Sequence, residues 1–211
     1  MIRRSGADYC LSTVNQIRLF REYDAAKWQV LPALPHPAVS FLFTWTVVPA
    51  PIDAGVPEPV ATMLANALSS IGIVYFGADP GAENEVAQVA VRRQLRSESI
   101  SVVASRSVDA ILPAFSSARH DWSQNAQWLV VSEEGRAQPR TDWLAPLIRE
   151  LYRDWSLSAI PPKVSLVVQA AVDGDGAACH CKDASTAERL IECLRAGAEA
   201  AGFAFAEDVA G

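Results

Sequence analysis

Short, wholly apolar runs that alternate with amphipathic segments constrain the fold more than any other feature of this sequence. Residues 73–76 (IVYF) form the clearest run, and such a run is typical of a strand buried on both faces of a sheet. Strands that alternate with helices favour an α/β fold with a mostly parallel central sheet flanked by helices. The pattern predicts strands at residues 41–48, 73–76, 100–104 and 127–132 and helices at residues 58–70, 80–96 and 141–155.

Two consecutive prolines, Pro161 and Pro162, mark the only plausible domain boundary in the chain. Before them, residues 1–160 carry the alternating pattern and are interpreted as the α/β core. After them, the alternation of strands and helices gives way to the pattern of a β-hairpin followed by a helix. Residues 161–211 therefore form either a separate C-terminal unit packed on the core or a corner of the core itself.

The C-terminal segment has the pattern of a β-hairpin followed by a helix. Residues 164–172 and 177–182 predict two strands joined by a DGDG turn. A helix is expected to begin near Ser185, with Glu188 completing a capping box. An edge strand is expected at residues 203–205.

Acidic residues outnumber basic ones, with 24 Asp and Glu against 18 Lys and Arg and a formal net charge of −6. This balance argues against broad, non-specific nucleic-acid binding. No apolar run reaches the roughly 18 residues that a membrane helix needs, and the N-terminal segment is too polar for a signal peptide. We therefore expect a cytoplasmic protein that does not contact a membrane. Four cysteines are too few for a disulfide scaffold.

One loop, residues 77–81 (GADPG), could carry chemistry because it joins a buried strand to the start of a helix. Gly77 and Gly81 let a ligand approach the backbone, and Asp79 and Glu83 supply carboxylate oxygens that suit a divalent cation. The same residues also fit a structural role. Asp79 is a good N-cap before a proline, and acidic residues stabilise the first turn of a helix.

The stretch of residues 73–83 (IVYFGADPGAE) resembles TOPRIM domains, in which a strand ends in an Asp-x-Asp pair and is followed by a small-residue loop and a helix. It is similar to the pattern YfGDxDPxG found in topoisomerase VI A-type subunits and in the nuclease subunit of Wadjet-type plasmid-defence systems. The matching residues are Tyr75, Phe76, Gly77, Asp79, Pro80 and Gly81.

The resemblance implies a magnesium site for cleavage of nucleic-acid strands, held by two aspartates and an upstream glutamate. Asp79 corresponds to the second aspartate, whereas Ala78 stands where the first would be, and residues 11–20 upstream contain no glutamate. Glu133 and Glu134 are the acidic residues of a downstream segment that is similar to the same families. Because Mg²⁺ needs anionic oxygen to offset its dehydration, a site reduced to one aspartate implies loss of cleavage.

Two further groups of residues could act at a site. Cys179, His180 and Cys181 are adjacent; on a strand, both thiols would face one side and the imidazole the other. A zinc site needs four protein ligands, or three and a water, so we interpret these residues as structural. Trp28 and Trp122 lie in polar, loop-like segments and are expected to be interface residues, since tryptophan is enriched at binding hot spots.

These observations lead to two functional hypotheses. The first is a non-catalytic accessory or protein-interaction protein, of the regulatory-subunit or inhibitor type. It would bind another protein and would need no cofactor, and contact with nucleic acid through a partner complex is compatible with it. The second is a magnesium-dependent, TOPRIM-like enzyme that cleaves nucleic-acid phosphodiesters through Asp79. The sequence has no G-x-S-x-G elbow, Walker A loop or G-x-G-x-x-G motif, which favours the first hypothesis.

Overall fold

The computed structural model describes residues 14–48, 56–78, 101–112, 115, 128–133, 143–151, 156–171 and 175–208. In these ranges the chain forms an eight-stranded sheet. The strands are β1 (Gln16–Phe20), β2 (Val39–Thr46), β3 (Ile73–Ala78), β4 (Ser101–Ser105), β5 (Trp128–Ser132), β6 (Leu166–Ala170), β7 (Gly176–Cys181) and β8 (Ala204–Asp208). The four strands predicted in the first part of the chain are thus confirmed, with ends that shift by one or two residues.

The sheet is mostly antiparallel. Its strands follow the order β4-β3-β5-β6-β7-β2-β1-β8, and within the described ranges the pairing of β1 with β8 is the single parallel one. The expectation of a mostly parallel sheet is therefore wrong. It rested on wholly apolar strands, and β5, β6 and β7 are indeed buried along their whole length. Burial on both faces does not fix strand direction, because helices and loops can cover an antiparallel sheet equally well.

Two long helices cover one face of the sheet, named here the helical face. Helix α2 (Glu58–Ile71) and the C-terminal helix (Ala184–Ala200) pack side by side over buried residues of β1, β2, β5, β6 and β7. The two helices approach closely at Gly197, where an added β-carbon would lie 2.7 Å from Cγ of Met63. The helix predicted at residues 58–70 is confirmed and ends before Gly72, as the C-terminal glycine indicated.

The opposite face of the sheet is covered by a loop and by short helices. Residues 29–38, named here the strap, cross this face and bury Val30, Leu31 and Leu34. They follow helix α1 (Ala25–Trp28).

The described helices after α2 are α3 (Val108–Ile111), α4 (Leu144–Arg149) and α5 (Ala184–Ala200). α4 packs on this strap face with Leu144 and Leu147, beside Tyr75 and Val130 of the sheet.

The hairpin and helix predicted at the C-terminus are present, and their strands belong to the main sheet. β6 pairs with β7, and both lie between β5 and β2. α5 begins after Asp183, whose carboxylate accepts a hydrogen bond from the backbone N–H of Thr186 at 2.8 Å. The expected cap at Ser185 is therefore wrong by two residues. β8 lies at one edge of the sheet, as predicted.

Candidate functional site beneath residues 29–38

Three polar side chains stand close together on the strap face of the sheet. Ser40 of β2 is the register partner of His180 on β7, and Gln169 of β6 is the register partner of Ala178, two residues from His180. Register partners and alternate residues of a strand share one face, so all three side chains point toward the strap. Ser40 is 8 % exposed, and Gln169 and His180 are fully buried.

Two of these side chains fasten the strap to the sheet. The Gln169 Oε1 oxygen accepts a hydrogen bond from the backbone N–H of Leu31 at 2.7 Å. The Ser40 hydroxyl accepts one from the backbone N–H of Leu34 at 3.0 Å. A loop that crosses a buried sheet must find partners for its backbone polar groups. Here the sheet supplies them through side chains, because the strap forms no strand.

His180 completes this polar cluster. Its Nδ1 atom lies 3.0 Å from the Ser40 hydroxyl, and burial lowers the pKa of its imidazole from 6.5 to about 4. The ring is therefore neutral near pH 7. Either tautomer gives Nδ1 a partner in Ser40. Nε2 is buried and has no hydrogen-bond partner among the residues that the structure describes.

Tyr23 joins the cluster to the outer surface. Its phenol donates a hydrogen bond to the carbonyl oxygen of Leu31 at 3.1 Å. Burial raises the pKa of the Tyr23 phenol, and the nearby Ser40 hydroxyl acts in the opposite direction. Tyr23 thus contacts the strap from the side of α1, whereas Gln169 and Ser40 hold it from the sheet.

The pairing of Ser40 with His180 brings a hydroxyl and a neutral imidazole together, which is the arrangement of an activated nucleophile. Its surroundings favour a structural role. The Ser40 oxygen already accepts a hydrogen bond from Leu34, and the strap covers both groups. The arrangement holds the strap in place, and we assign it that role.

A half-buried aromatic patch lies beside the strap, formed by Phe20, Tyr23 and Trp28. All three side chains pack against one small buried cluster, which consists of Val30, Leu42, Ala171 and Ala178. The Arg18 guanidinium carbon lies 5.2 Å from the centre of the Phe20 ring, and the Lys27 Nζ lies 5.7 Å from the centre of the Trp28 ring. Trp28, an expected interface residue, therefore belongs to a group that sequence reasoning missed.

Most residues of the predicted GADPG loop lie outside the described ranges. Gly77 is part of β3, and Asp79, Gly81, Glu83 and Trp122 fall in undescribed segments. The magnesium-dependent, TOPRIM-like function therefore stays a prediction.

Glu133 is placed in an ion-pair cluster. One carboxylate oxygen of Glu133 lies 2.7 Å from Lys182 and the other 3.3 Å from Arg189. The carboxylate of Glu133 is therefore paired with two cations of the same chain.

The Cys-His-Cys group has the alternation expected of a strand. Cys179 and Cys181 are buried in the core of the helical face, and His180 points to the strap. The prediction that thiols and imidazole face opposite sides is confirmed. Over the described ranges, no three His, Cys, Asp or Glu side chains are placed to hold a metal ion.

Within the same ranges, no helix combines the length and apolar character needed to span a bilayer. Comparison of the chain with protein-family models, with curated proteins and with solved structures finds no match.

Proposed function

We propose that this chain is a non-catalytic accessory domain that binds another protein through the aromatic patch Phe20, Tyr23 and Trp28. The observation that carries the proposal is that these three half-buried rings rest on one buried cluster, with cations over two of them. Trp, Tyr and Arg are the residue types that dominate binding hot spots, and aromatic rings supply large contact areas at low entropic cost.

The patch is held in shape before any partner arrives. Arg18 is fixed over Phe20 by an ion pair with Asp208, in which the two charged atoms lie 2.6 Å apart. Tyr23 is fixed by its hydrogen bond to Leu31. Side chains that are ordered in the free protein lose less entropy on binding, so the patch favours tight association.

The charges around the patch indicate the chemistry of the partner. Lys27 makes no ion pair with any described residue, and its ammonium lies 5.7 Å from the centre of the Trp28 ring. A partner surface with an apolar side chain for the rings and a carboxylate for Lys27 would match both features. We therefore propose a protein partner whose contact surface is apolar at its centre and acidic at its rim.

The proposal is tested by measuring the affinity of the purified chain for a partner isolated from its native host and then produced pure. Trp28→Ala is expected to weaken binding about 30-fold or more, the effect of removing a hot-spot side chain. Phe205→Ala is the matched control. Phe205 is also half-buried and has the Arg195 guanidinium 5.3 Å from its ring centre, but it packs against the core of the helical face.

A loss of affinity in Trp28→Ala with little change in Phe205→Ala supports the proposal, and equal effects of the two substitutions contradict it. Lys27→Glu provides a second test because the residue is exposed and its replacement leaves the core intact. Reversal of its charge is expected to weaken binding of an acidic rim about tenfold, and more at low salt. Unchanged affinity in both patch variants would overturn the proposal.

A further inference from the structure

The strap and the aromatic patch are physically joined. Trp28 immediately precedes the strap, and Tyr23 donates its hydrogen bond to the strap carbonyl of Leu31. Displacement of the strap would break that hydrogen bond. It would also uncover the buried cluster on which the patch rests, because Val30 is part of the strap and of that cluster. The position of the strap therefore determines the shape of the patch.

The strap is suited to move as a unit. Its backbone is stiffened by Pro32, Pro35 and Pro37, each of which restricts one backbone angle and donates no hydrogen bond. Its two hydrogen bonds to side chains of the sheet are those from Leu31 to Gln169 and from Leu34 to Ser40. The Ser40 hydroxyl also contacts Nδ1 of His180 at 3.0 Å, so this imidazole lies directly beneath the strap attachment.

We propose that Ser40 and His180 form a proton-controlled latch, in which protonation of His180 favours release of the strap. An imidazolium carries hydrogens on both nitrogens, so its Nδ1–H would donate to the Ser40 oxygen, and the same oxygen would have to serve both His180 and the Leu34 N–H. Protonation would also place a full positive charge beneath the strap, where His180 has no exposed surface and its Nε2 atom has no partner among the described residues. When the strap lifts, water reaches the ring and removes this penalty. The effect on partner binding rests on the proposed function, whereas the latch itself does not.

The groups around His180 offer its positive charge no compensation. Ser40, Gln169 and the strap leucines are uncharged, and Tyr23 is the titratable group that faces the cluster from the side of α1. Cys179 and Cys181 point to the helical face, and Asp183 lies beyond the end of β7, where it caps α5. Burial lowers the pKa of His180. The second histidine nearby, His36 of the strap, is exposed.

The latch is tested by NMR hydrogen exchange at the Leu31 and Leu34 amides of the chain alone. Their protection factors are expected to fall about tenfold between pH 7.5 and pH 5.5, because opening becomes linked to proton uptake below the ordinary pKa of histidine. Amides in β6 report global unfolding and are expected to keep a higher protection factor at both pH values.

His180→Asn and His36→Asn form a matched pair of variants. Asparagine at 180 keeps an oxygen acceptor near Ser40 but does not titrate, so the pH dependence of strap exchange is expected to disappear. His36→Asn removes the exposed imidazole of the strap and is expected to retain the pH dependence of strap exchange. A pH dependence that persists in His180→Asn, or that is lost in His36→Asn, overturns the latch.

If His180→Asn does not fold, the latch is tested by hydrogen exchange of the strap amides in the wild-type protein. Strap protection that falls about tenfold between pH 7.5 and pH 5.5, while the NMR signal of the closed protein still reports a neutral His180 ring, supports the latch, and protection that stays constant to pH 5 overturns it. Partner affinity is then measured at both pH values. If the strap opens at low pH and the affinity for the partner does not change, the latch stands and its link to the proposed function fails. If the strap does not open, the latch itself fails.

Discussion

The side-chain oxygen of Gln169 accepts a hydrogen bond from the backbone N–H of Leu31 at 2.7 Å, across 138 residues of chain. Gln169 stands on an otherwise apolar, fully buried strand in the middle of the sheet. Its Nε2 atom has no partner among the described residues. A polar side chain is retained there because the strap offers a buried N–H that needs an acceptor.

Replacement of Gln169 by leucine is expected to destabilise the protein by about 1–3 kcal/mol, because the Leu31 N–H would remain buried without an acceptor. Urea unfolding followed by circular dichroism measures the change. Gln16→Leu is the control, since Gln16 is a half-buried glutamine on β1. An effect of Gln169→Leu no larger than that of Gln16→Leu would show that the strap is held by its leucine side chains alone.

Gly72 approaches the end of β5 closely. An added β-carbon at Gly72 would lie 2.2 Å from the carbonyl oxygen of Ser132, a backbone atom that cannot move without shifting the strand. Gly72→Ala is therefore expected to cost about 2–3 kcal/mol of unfolding free energy, the upper range for an overpacked core.

Gly202 provides the comparison for this measurement. It has a φ of 76° and nothing within 4 Å of an added β-carbon, so Gly202→Ala meets only the left-handed backbone penalty of about 1 kcal/mol. Thermal or urea unfolding of both variants ranks the two costs. A smaller loss in Gly72→Ala than in Gly202→Ala would contradict the packing at Gly72.

The sequence predicts those elements whose signal is local. Helix α2 shows helical spacing and ends at a glycine, and the C-terminal hairpin has its turn sequence, so both are recovered. Strand direction is not local. It depends on which strands become neighbours, and apolar runs look alike in parallel and antiparallel sheets that are covered on both faces.

The polar cluster also escapes the sequence because its members are brought together by pairing of distant strands. Ser40 and His180 are separated by 140 residues. The signal that could have indicated a site is Gln169, a glutamine within the apolar run LVVQA. The predicted loop residues Asp79, Gly81 and Glu83, and also Trp122, lie outside the described part of the chain, so their roles stay predictions.

The pH dependence of stability follows from His180. Its pKa is about 4 in the folded protein and 6.5 in its ordinary state, so the unfolded chain binds the proton first as the pH falls. The free energy of unfolding is therefore not reduced by His180 above pH 6.5, and it falls progressively between pH 6.5 and pH 4. The full loss is about 3 kcal/mol, and about 2 kcal/mol of it is expected by pH 5.

Urea unfolding at pH 7.5 and pH 5 tests this expectation. His180→Asn is expected to show a smaller difference between the two pH values, by about 2 kcal/mol, because it removes the titrating group and leaves the carboxylates unchanged. The same pH difference in wild type and variant would show that His180 does not carry this part of the stability.

The three cysteine thiols that the structure describes differ in burial. Cys179 and Cys181 are buried, and burial raises the pKa of both thiols, whereas Cys193 is half-buried beside the Ser70 hydroxyl at 3.3 Å. Because the thiolate is the reactive form, Cys193 is expected to react with a disulfide reagent in the native protein, and the two β7 thiols only after unfolding. A Cys10→Ala background limits the count to these three thiols. In that background, Cys193→Ala is expected to abolish the native-state reaction, and a reaction that persists would mean that β7 becomes exposed in the folded protein.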